Sequence, residues 1–518
     1  MSITPLHDPA PPVGLAATAE RHRWAVLAVT CLAVFVTVLD GTIVNVALPT
    51  LTVDLGATTR QLQWIVDAYL LVFTGLLLAA GGLGDKYGRK RMLIAGLVVF
   101  GATSAYAGSV DTAGSLIAGR ALMGIGAAMI FPATLAIITN VFTDPTERAK
   151  AIGVWSAVSG MAVAFGPIVG GWLLEHYWWG SVFFINVPIT ILVAIAAWRL
   201  VPESREHDAP RLDLPGVFLS IAAITALVFT IIEAPEWGWA SAGTITGFAL
   251  AAVLLAAFVR WELRATAPML PVGIFRNLRF SAASVAVTSA FFALFGFVFL
   301  ITQYFQLVRG YGPFEAGIRT LPVAIAIAVA SVMAPRIVER VGTTNVVRVG
   351  LALLGTAFVW IAFRVDVDTS YWEIVGQMVV LGAGLGATTA PATESIMGSL
   401  SADKAGIGSA VNDTTRELGG TLGVAVIGSV FSSIYIGALN DQGASSVFAN
   451  LPPEAQELTK ESVGAAGFVA RELGPNAPAF LAEVNDAFLS GLTVGCLVAA
   501  GVAYAGAIFA SRFLPARA

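Results

Sequence analysis

The sequence predicts an all-α integral membrane protein of fourteen transmembrane helices, arranged as two pseudo-symmetric six-helix bundles with two inserted helices between them. Three observations carry this reading. Only 12% of the 518 residues are charged and 57% are hydrophobic, whereas a soluble domain carries about 25% charged residues. The apolar residues fall in runs of about 20, the length that crosses a bilayer as a helix. Two segments whose starts lie about 260 residues apart also repeat one another, which points to duplicated halves.

The elements follow in order. Residues 1–20, rich in Pro and Ala, read as a cytoplasmic tail. The first apolar run begins at Trp24, after Arg21-His22-Arg23. At about 23 residues it exceeds the roughly 7–15 of a signal-peptide core, so it reads as a retained span. The first six spans are expected near 24–46, 62–83, 91–110, 114–139, 149–174 and 180–201, inside an N-terminal bundle over 21–202. Two inserted helices, 214–233 and 241–262, occupy 203–266. A C-terminal bundle over 267–518 supplies 280–307, 314–338, 345–364, 371–397, 406–435 and 487–511. The connection at about 436–486 contains PPEAQELTKESVGAAGFVAREL, with the Pro start and amphipathic spacing of a helix. It reads either as a helical hairpin over the outer face or as a poorly ordered loop. Placing both termini in the cytoplasm puts about 21 of the 29 Lys and Arg residues inside, which orients the chain in the cell membrane.

Composition excludes several functions. A net charge of −4 leaves no basic footprint for nucleic acid. Cys31 and Cys496 sit in apolar runs near opposite ends, and the four histidines show no zinc spacing, so neither a disulfide nor a metal is expected. GAGLG (382–386) lies within an apolar helix with no preceding strand, and no Walker loop exists to use ATP. No nucleophile–base constellation suggests an enzyme, and no cofactor is implied.

The repeat pairs GIGAAMIFPATLAIITNVFTDPTERAKAIG (124–153) with GLGATTAPATESIMGSLSADKAGIG (384–408), and more weakly LGDKYGRK (83–90) with IVERVGTT (337–344). Charges inside the apolar runs then stand out. Asp40, in VTVLDGTIVNVALP (36–49), has no Lys or Arg within a helical turn. An acid near the bilayer centre must face a wet cavity, pair with a cation, carry a proton, or make a helix-packing hydrogen bond. At 1.5 Å per residue, Asp40 lies about 24 Å from the inner surface, while Asp67 and Arg120 lie about 8 and 9 Å below the outer one. All three share the outer half, so Arg120 is expected to modulate Asp40. Asp67 either faces the cavity and attracts cations or is an interfacial acid. Glu394 follows PAT where the first copy has Leu135. It could pair with Arg416 to hold an inner gate, form a second proton or cation site, or face an inner vestibule. Asp413 and Glu417, four apart, flank Arg416 on one helix face.

Gly166-Pro167 interrupts the fifth helix, because proline lacks a donor. Gly166 and Gly170 form a flat strip for close helix contact that could seal the halves. In the loop of Asp85, Lys86, Arg89, Lys90 and Arg91, Gly81, Gly84 and Gly88 allow the turn. Asp85 can cap or pair across the half-interface, and the basic residues also set topology. Trp64, Met123, Phe292, Phe295 and Tyr304 are candidates to line the apolar part of a cavity.

Four of these segments resemble the major facilitator superfamily in the order and on the helices it requires. GGLGDKYGRKR (81–91) resembles its loop between helices two and three, and RALMGIGAA (120–128) its fourth-helix motif. GMAVAFGPIVGGWL (160–173), with Gly160, Gly166, Pro167, Gly170 and Gly171, resembles its antiporter motif. LDGTIVNVALP (39–49) resembles the first-helix signature of the fourteen-helix drug:proton antiporter branch. WIVDAY (64–69) resembles the QacA-type exporters of quaternary ammonium compounds. The resemblance implies a monomeric exporter that exchanges protons for lipophilic, cationic drugs. Asp40, Asp67 and Glu394 would bind protons or cations in it. Export of one endogenous metabolite or antibiotic, or of a lipid, is the alternative.

Overall fold

The computed structural model describes residues 13–205, 213–399 and 405–514. Residues 1–12 of the expected tail, and Arg211, Lys404 and Arg517 of the expected inner basic set, lie outside the described residues. Below, inner and outer ends are named by the orientation that the basic loops imply.

The first bundle comprises α1 (Val13–Leu55), α2 (Thr59–Tyr87), α3 (Arg89–Ala107), α4 (Ala113–Val141), α5 (Pro145–His176) and a sixth span split into α6 (Ser181–Phe184) and α7 (Asn186–Leu200). The inserted pair is α8 (Leu214–Trp237) and α9 (Ala242–Glu262). The second bundle opens with α10 (Leu278–Gln303), which continues through a π-helical turn at Tyr304–Val308. It proceeds through α11 (Pro313–Arg319), α12 (Leu321–Val341), α13 (Thr343–Arg364), α14 (Tyr371–Gly398) and α15 (Ala405–Asn440). Short helices α16 (Pro453–Glu461) and α17 (Val463–Glu472) precede the last span, α18 (Ala477–Phe513). Each of the fourteen expected spans has its helix. Thirteen are long and apolar enough to cross a membrane. The other, α3, has 19 residues and spends its first turn on Arg89-Lys90-Arg91.

Local chemistry sets several starts. Thr58 and Gln61 form a reciprocal capping box on α2. Asp144 caps α5 by accepting from the Glu147 amide at 2.9 Å. Some limits differ from the hydropathy reading. Helix α1 already includes 13–20 and runs through Pro49 to Leu55, since a buried spanning helix tolerates proline when neighbours satisfy the freed carbonyl. Helix α18 begins at Ala477, well before 487, because its polar first turns stand clear of the apolar layer and hydropathy does not register them.

The repeat reappears in the packing. In the first bundle α4 packs on α2, α3 and α1, α1 on α5 and α7, and α3 on α7. In the second, α14 packs on α12, α13 and α10, α10 on α15 and α18, and α13 on α18. These are the same neighbours in the same order. The bundles meet along two seams, α2 with α15 and α5 with α11. Helix α8 packs on both α2 and α15, so the inserted pair straddles one seam. It is fixed there by Arg60 of α2, which pairs with Glu233 at 2.8 Å and also with Glu236. In the outer connection, Glu483 accepts the Val447 and Phe448 amides at 2.8 and 2.9 Å. Tyr435 Oη donates to the Thr459 carbonyl at 2.9 Å, and Gly464 lies against Thr52 of α1. This connection is an ordered cap over the first helix.

Among the described residues, the hydrogen bonds between bundles cluster near the outer ends. Gln63 Nε2 donates to the Ala425 carbonyl at 3.2 Å and to Ser429 Oγ at 3.3 Å. Gln306, in the π-helical turn, donates to the Val46 carbonyl at 2.9 Å. The Phe314 amide reaches Glu175 Oε1 at 3.3 Å. The α5–α11 seam is backbone against backbone: a Cβ on Gly171 would lie 2.5 Å from Phe314 Cα and the Pro313 carbonyl, and one on Gly317 would strike the Pro167 carbonyl. Backbone cannot yield as a flexible side chain can. Gly317→Leu should therefore part the outer seam, and a cysteine at position 306 should react faster with a membrane-impermeant maleimide in that variant than in its absence. Equal rates would show that the seam does not depend on this contact.

Candidate functional site

The outer half of the first bundle holds a charged centre in its core. Gly124 and Gly126 of α4 make it possible: a Cβ on Gly124 would lie 2.7 Å from the Tyr69 carbonyl of α2, and one on Gly126 2.7 Å from the Phe100 amide of α3. These glycines let α4 press against both helices and carry Arg120, one turn earlier, between α1 and α2. Arg120 Nη1 pairs with Asp40 Oδ2, and Arg120 Nε donates to the Ile65 carbonyl at 3.0 Å. The other carboxylate oxygen of Asp40 accepts from Asn186 Nδ2 at 2.9 Å. Asn186 also reaches Ser104 Oγ at 3.0 Å. The guanidinium lies 4.3 Å from the Tyr69 ring centroid, and Tyr69 Oη donates to the Thr37 carbonyl at 3.1 Å. Asp40 and Arg120 are both 0% exposed.

This answers the question Asp40 raises: it is balanced by a cation on another helix rather than by a wet cavity. Sequence reasoning missed Asn186 and Tyr69. Their signals were a lone amide in the apolar run SVFFINVP (181–188) and the tyrosine that closes WIVDAY. Neither reveals its partner without the fold.

Asp67 corrects an expectation. It is 0% exposed rather than facing an open cavity, and among the described residues neither carboxyl oxygen has a hydrogen-bond partner. It lies one turn from Gln63, which grips α15, and one turn from Leu71, which packs with Ala425 and Val228. Asp67 therefore stands on the seam face of α2. Among the described residues no hydrogen-bond donor offsets a negative charge there, a costly arrangement for an ionised carboxylate.

The second-half acids also differ from one reading of them. Arg416 does not pair with Glu394; its Nη2 donates to Thr393 Oγ1 at 3.2 Å, and its guanidinium lies 5.4 Å from the Phe291 ring. One residue turns a helix by about 100°, so Thr393 faces α15 while Glu394 is exposed. Asp413 and Glu417 flank Arg416, half-buried.

Asp85 accepts from Arg89 Nε at 2.9 Å within its own bundle and does not pair across the half-interface. Lys90 Nζ donates to the Trp198 carbonyl at 2.7 Å, the Arg89 amide reaches the Ser204 carbonyl at 2.9 Å, and Lys86 lies over Tyr87. Gly88, at φ 115°, makes the turn, and Gly81 rests near Pro132. In the glycine motif, Gly166 and Gly170 press on Thr42 and Ile43 of α1 in the same bundle, whereas Gly171 meets α11 and Gly160 faces open space. The cross-bundle seal thus falls to Gly171. Most cavity candidates are packing residues: Trp64 lies at a tilt against Phe229 of α8, Met123 is buried beside Arg120, and Phe292 packs against Gly423. Tyr304 is buried within the second bundle, where it lines an apolar cavity with Phe297, Phe358 and Met378, its hydroxyl donating to the Asp366 carbonyl at 2.7 Å. Phe295, against Gly420, remains partly exposed.

Comparisons with known proteins agree on one family. The pattern described as Major Facilitator Superfamily matches residues 30–424. The chain is 36% identical over 488 residues to the multidrug efflux pump LfrA of Mycolicibacterium smegmatis, covering 94% of this chain and 95% of that one. It is 36% identical over 475 residues to the methyl viologen resistance protein SmvA of Salmonella typhimurium, covering 90% and 93%. It is 33% identical over 515 residues to the tetracenomycin C resistance and export protein of Streptomyces glaucescens, covering 98% and 95%. In three dimensions it resembles a bacterial homolog of the human lysosomal transporter Spinster, with a TM-score of 0.67, 17% identity and 95% and 97% coverage. At that identity the likeness is one of fold.

The two buried acids of the first bundle should respond differently to neutralisation. Asp40→Asn strands a buried guanidinium and should cost about 3–5 kcal/mol of stability. Asp67→Asn strands no opposite charge and should leave the melting temperature in lipid nanodiscs close to that of the unmodified protein. Equal losses in a thermal-unfolding assay would show that Asp67 has an unseen cationic partner.

Proposed function

The chain belongs to the Major Facilitator Superfamily, whose members are membrane transporters and not enzymes, and from that premise we propose that it exports lipophilic, cationic drugs in exchange for protons across the cytoplasmic membrane, with both termini inside. The efflux part of this reading is supported by relatives that align along nearly their whole length, among them a multidrug pump and a methyl viologen resistance protein. The proton part rests on one observation: the carboxyl of Asp67, buried without a partner on the seam face of α2.

In this reading the outer end is closed and Asp67 holds its proton as a neutral acid. Release toward the inner side leaves a negative charge that a drug cation can offset while the seam rearranges. A proton moving inward gains about 2.3 kcal/mol per 100 mV of membrane potential. The Asp40–Arg120 pair senses the same helix, because Arg120 Nε is anchored on the Ile65 carbonyl, two residues from Asp67. Movement of α2 thereby loads the pair, and Asp40 exchanges Arg120 for a proton in the state where the outer seam opens. Glu394, exposed at the inner end, and Asp413 and Glu417 beside Arg416 supply negative charge where a cation first arrives. Gly171 and Gly317 keep the outer end shut in the meantime.

A second reading, export of a single antibiotic by the same machinery, draws on the tetracenomycin relative, which aligns over 98% of this chain. A substrate panel separates the two, since a broad cation exporter protects against several unrelated dyes and biocides.

Asp67→Asn should insert and fold, yet lose most protonophore-sensitive efflux of methyl viologen from an efflux-deficient host. Undiminished, protonophore-sensitive efflux in that variant would remove Asp67 from the proton path. Asp67→Ala should weaken export of cations more than that of neutral compounds of similar size, as read by growth inhibition; equal weakening would argue against charge recognition at this position.

A further inference from the structure

A second pair of buried acids lies far along the chain from the centre described above, at the inner base of the inserted hairpin. Asp213 precedes α8 and Glu262 ends α9. They are only 8% and 3% exposed. One oxygen of each is well used: Asp213 Oδ1 accepts from the Gly216 amide at 3.0 Å and from Trp261 Nε1 at 2.7 Å, and Glu262 Oε2 accepts from the Leu270 amide at 3.0 Å. The remaining oxygens, Asp213 Oδ2 and Glu262 Oε1, have no donor. Both stand over Gly216, where a Cβ would lie 2.5 Å from each. The two carboxyl groups thus face one another across the bare backbone of Gly216.

Ionised carboxylates only accept hydrogen bonds, so two of them cannot satisfy each other. Two like charges sharing a buried site do not both ionise readily. A single proton resolves both difficulties by making a short O–H···O⁻ bond of the charge-assisted kind. The surroundings favour a proton over a metal ion. The other polar groups that reach these carboxyls are N–H donors, from Gly216, Trp261 and Leu270, which repel a cation. Calcium takes about 6–8 oxygen ligands and magnesium about six, and the described residues contain no group of three or more His, Cys, Asp or Glu able to hold a metal. The start of α8 carries the positive end of its helix dipole and so stabilises one negative charge at the pair. On the neighbouring elements, Arg260 and Arg264 are exposed, and Asp213 is the charged group that acts on Glu262. Arg211 lies outside the described residues.

We propose that Asp213 and Glu262 form a proton-binding site in which one shared proton ties the first turn of α8 to the last turn of α9 and to the chain entering the second bundle. Because α8 packs on both α2 and α15, this clamp braces the seam from outside the transport path. Its stabilising effect is present while the proton is bound and is lost as the pH on the inner side rises from the acid range through neutrality.

The test uses the full chain in lipid nanodiscs. Glu262→Gln keeps a donor toward Asp213 and removes the shared proton; Glu262→Ala leaves Asp213 Oδ2 unpaired. Infrared difference spectra at neutral pH should show the carbonyl band of one protonated carboxyl in the unmodified protein that is missing in Glu262→Gln. The melting temperature of the unmodified protein should fall as pH rises from the acid range through neutrality, with a smaller fall in Glu262→Gln. Glu262→Ala should melt lower than Glu262→Gln at neutral pH. Identical carbonyl bands in the unmodified protein and Glu262→Gln would overturn the shared proton. A melting temperature raised by magnesium or calcium in the unmodified protein, but not in Glu262→Gln, would instead make the pair a cation site.

Discussion

The ion pair of Asp40 and Arg120, with the groups that bond to it, joins four helices with no water to fall back on. In a low-dielectric layer a lone charge is expensive, and a pair is tolerable only when its remaining donors and acceptors are also met. Asn186 and the Ile65 carbonyl meet one on each side, and the Tyr69 ring rather than a hydrogen bond covers the rest of the guanidinium. The register of α1, α2, α4 and α7 in the first bundle follows from that requirement. A slip of one residue on any of them would break at least one of these contacts and strand a charge.

Glycine does the complementary work. On α4 it brings backbones close enough to place Arg120; on α5 and α11 it brings the bundles close enough to shut the outer end. The outer seam is held by the amides of Gln63 and Gln306 on backbone carbonyls and by the Phe314 amide on Glu175. Two buried acid sites adjoin it: Asp67 on the seam face of α2, and Asp213 with Glu262 beneath the hairpin that straddles it. A change of protonation at either place can bias the seam without breaking its contacts directly, since helices packed at this density move as units with few alternative arrangements.

The duplication explains why one scaffold supports such a seam. The second bundle repeats the neighbours of the first, so α2 on α15 and α5 on α11 are symmetry-related contacts. The chemistry was not duplicated with the scaffold. The position of Asp40 has no counterpart pair in the second bundle among the described residues, where Arg416 leans on Thr393 and Phe291 instead. One bundle buries an ion pair completely; the other keeps its acids partly exposed toward the inner end.

The fourteen spans, the inserted pair and the duplicated bundles were legible in the sequence, because each depends on the amount and spacing of apolar residues, which no packing partner alters. Asp40, Arg120 and Asp67 also stood out, since a charge in an apolar run is conspicuous whatever it faces. What each one faces was not legible. Depth along a helix places residues at one level but not their azimuth, and azimuth decided that Asp40 meets Arg120, that Asp67 meets nothing, and that Arg416 meets Thr393 rather than Glu394. The same limit hid Asn186 and the facing of Asp213 and Glu262, which are 49 residues apart in the chain. Hydropathy is a property of one segment and can be read alone. A hydrogen bond belongs to two segments, and only the packed bundle brings them to the same place.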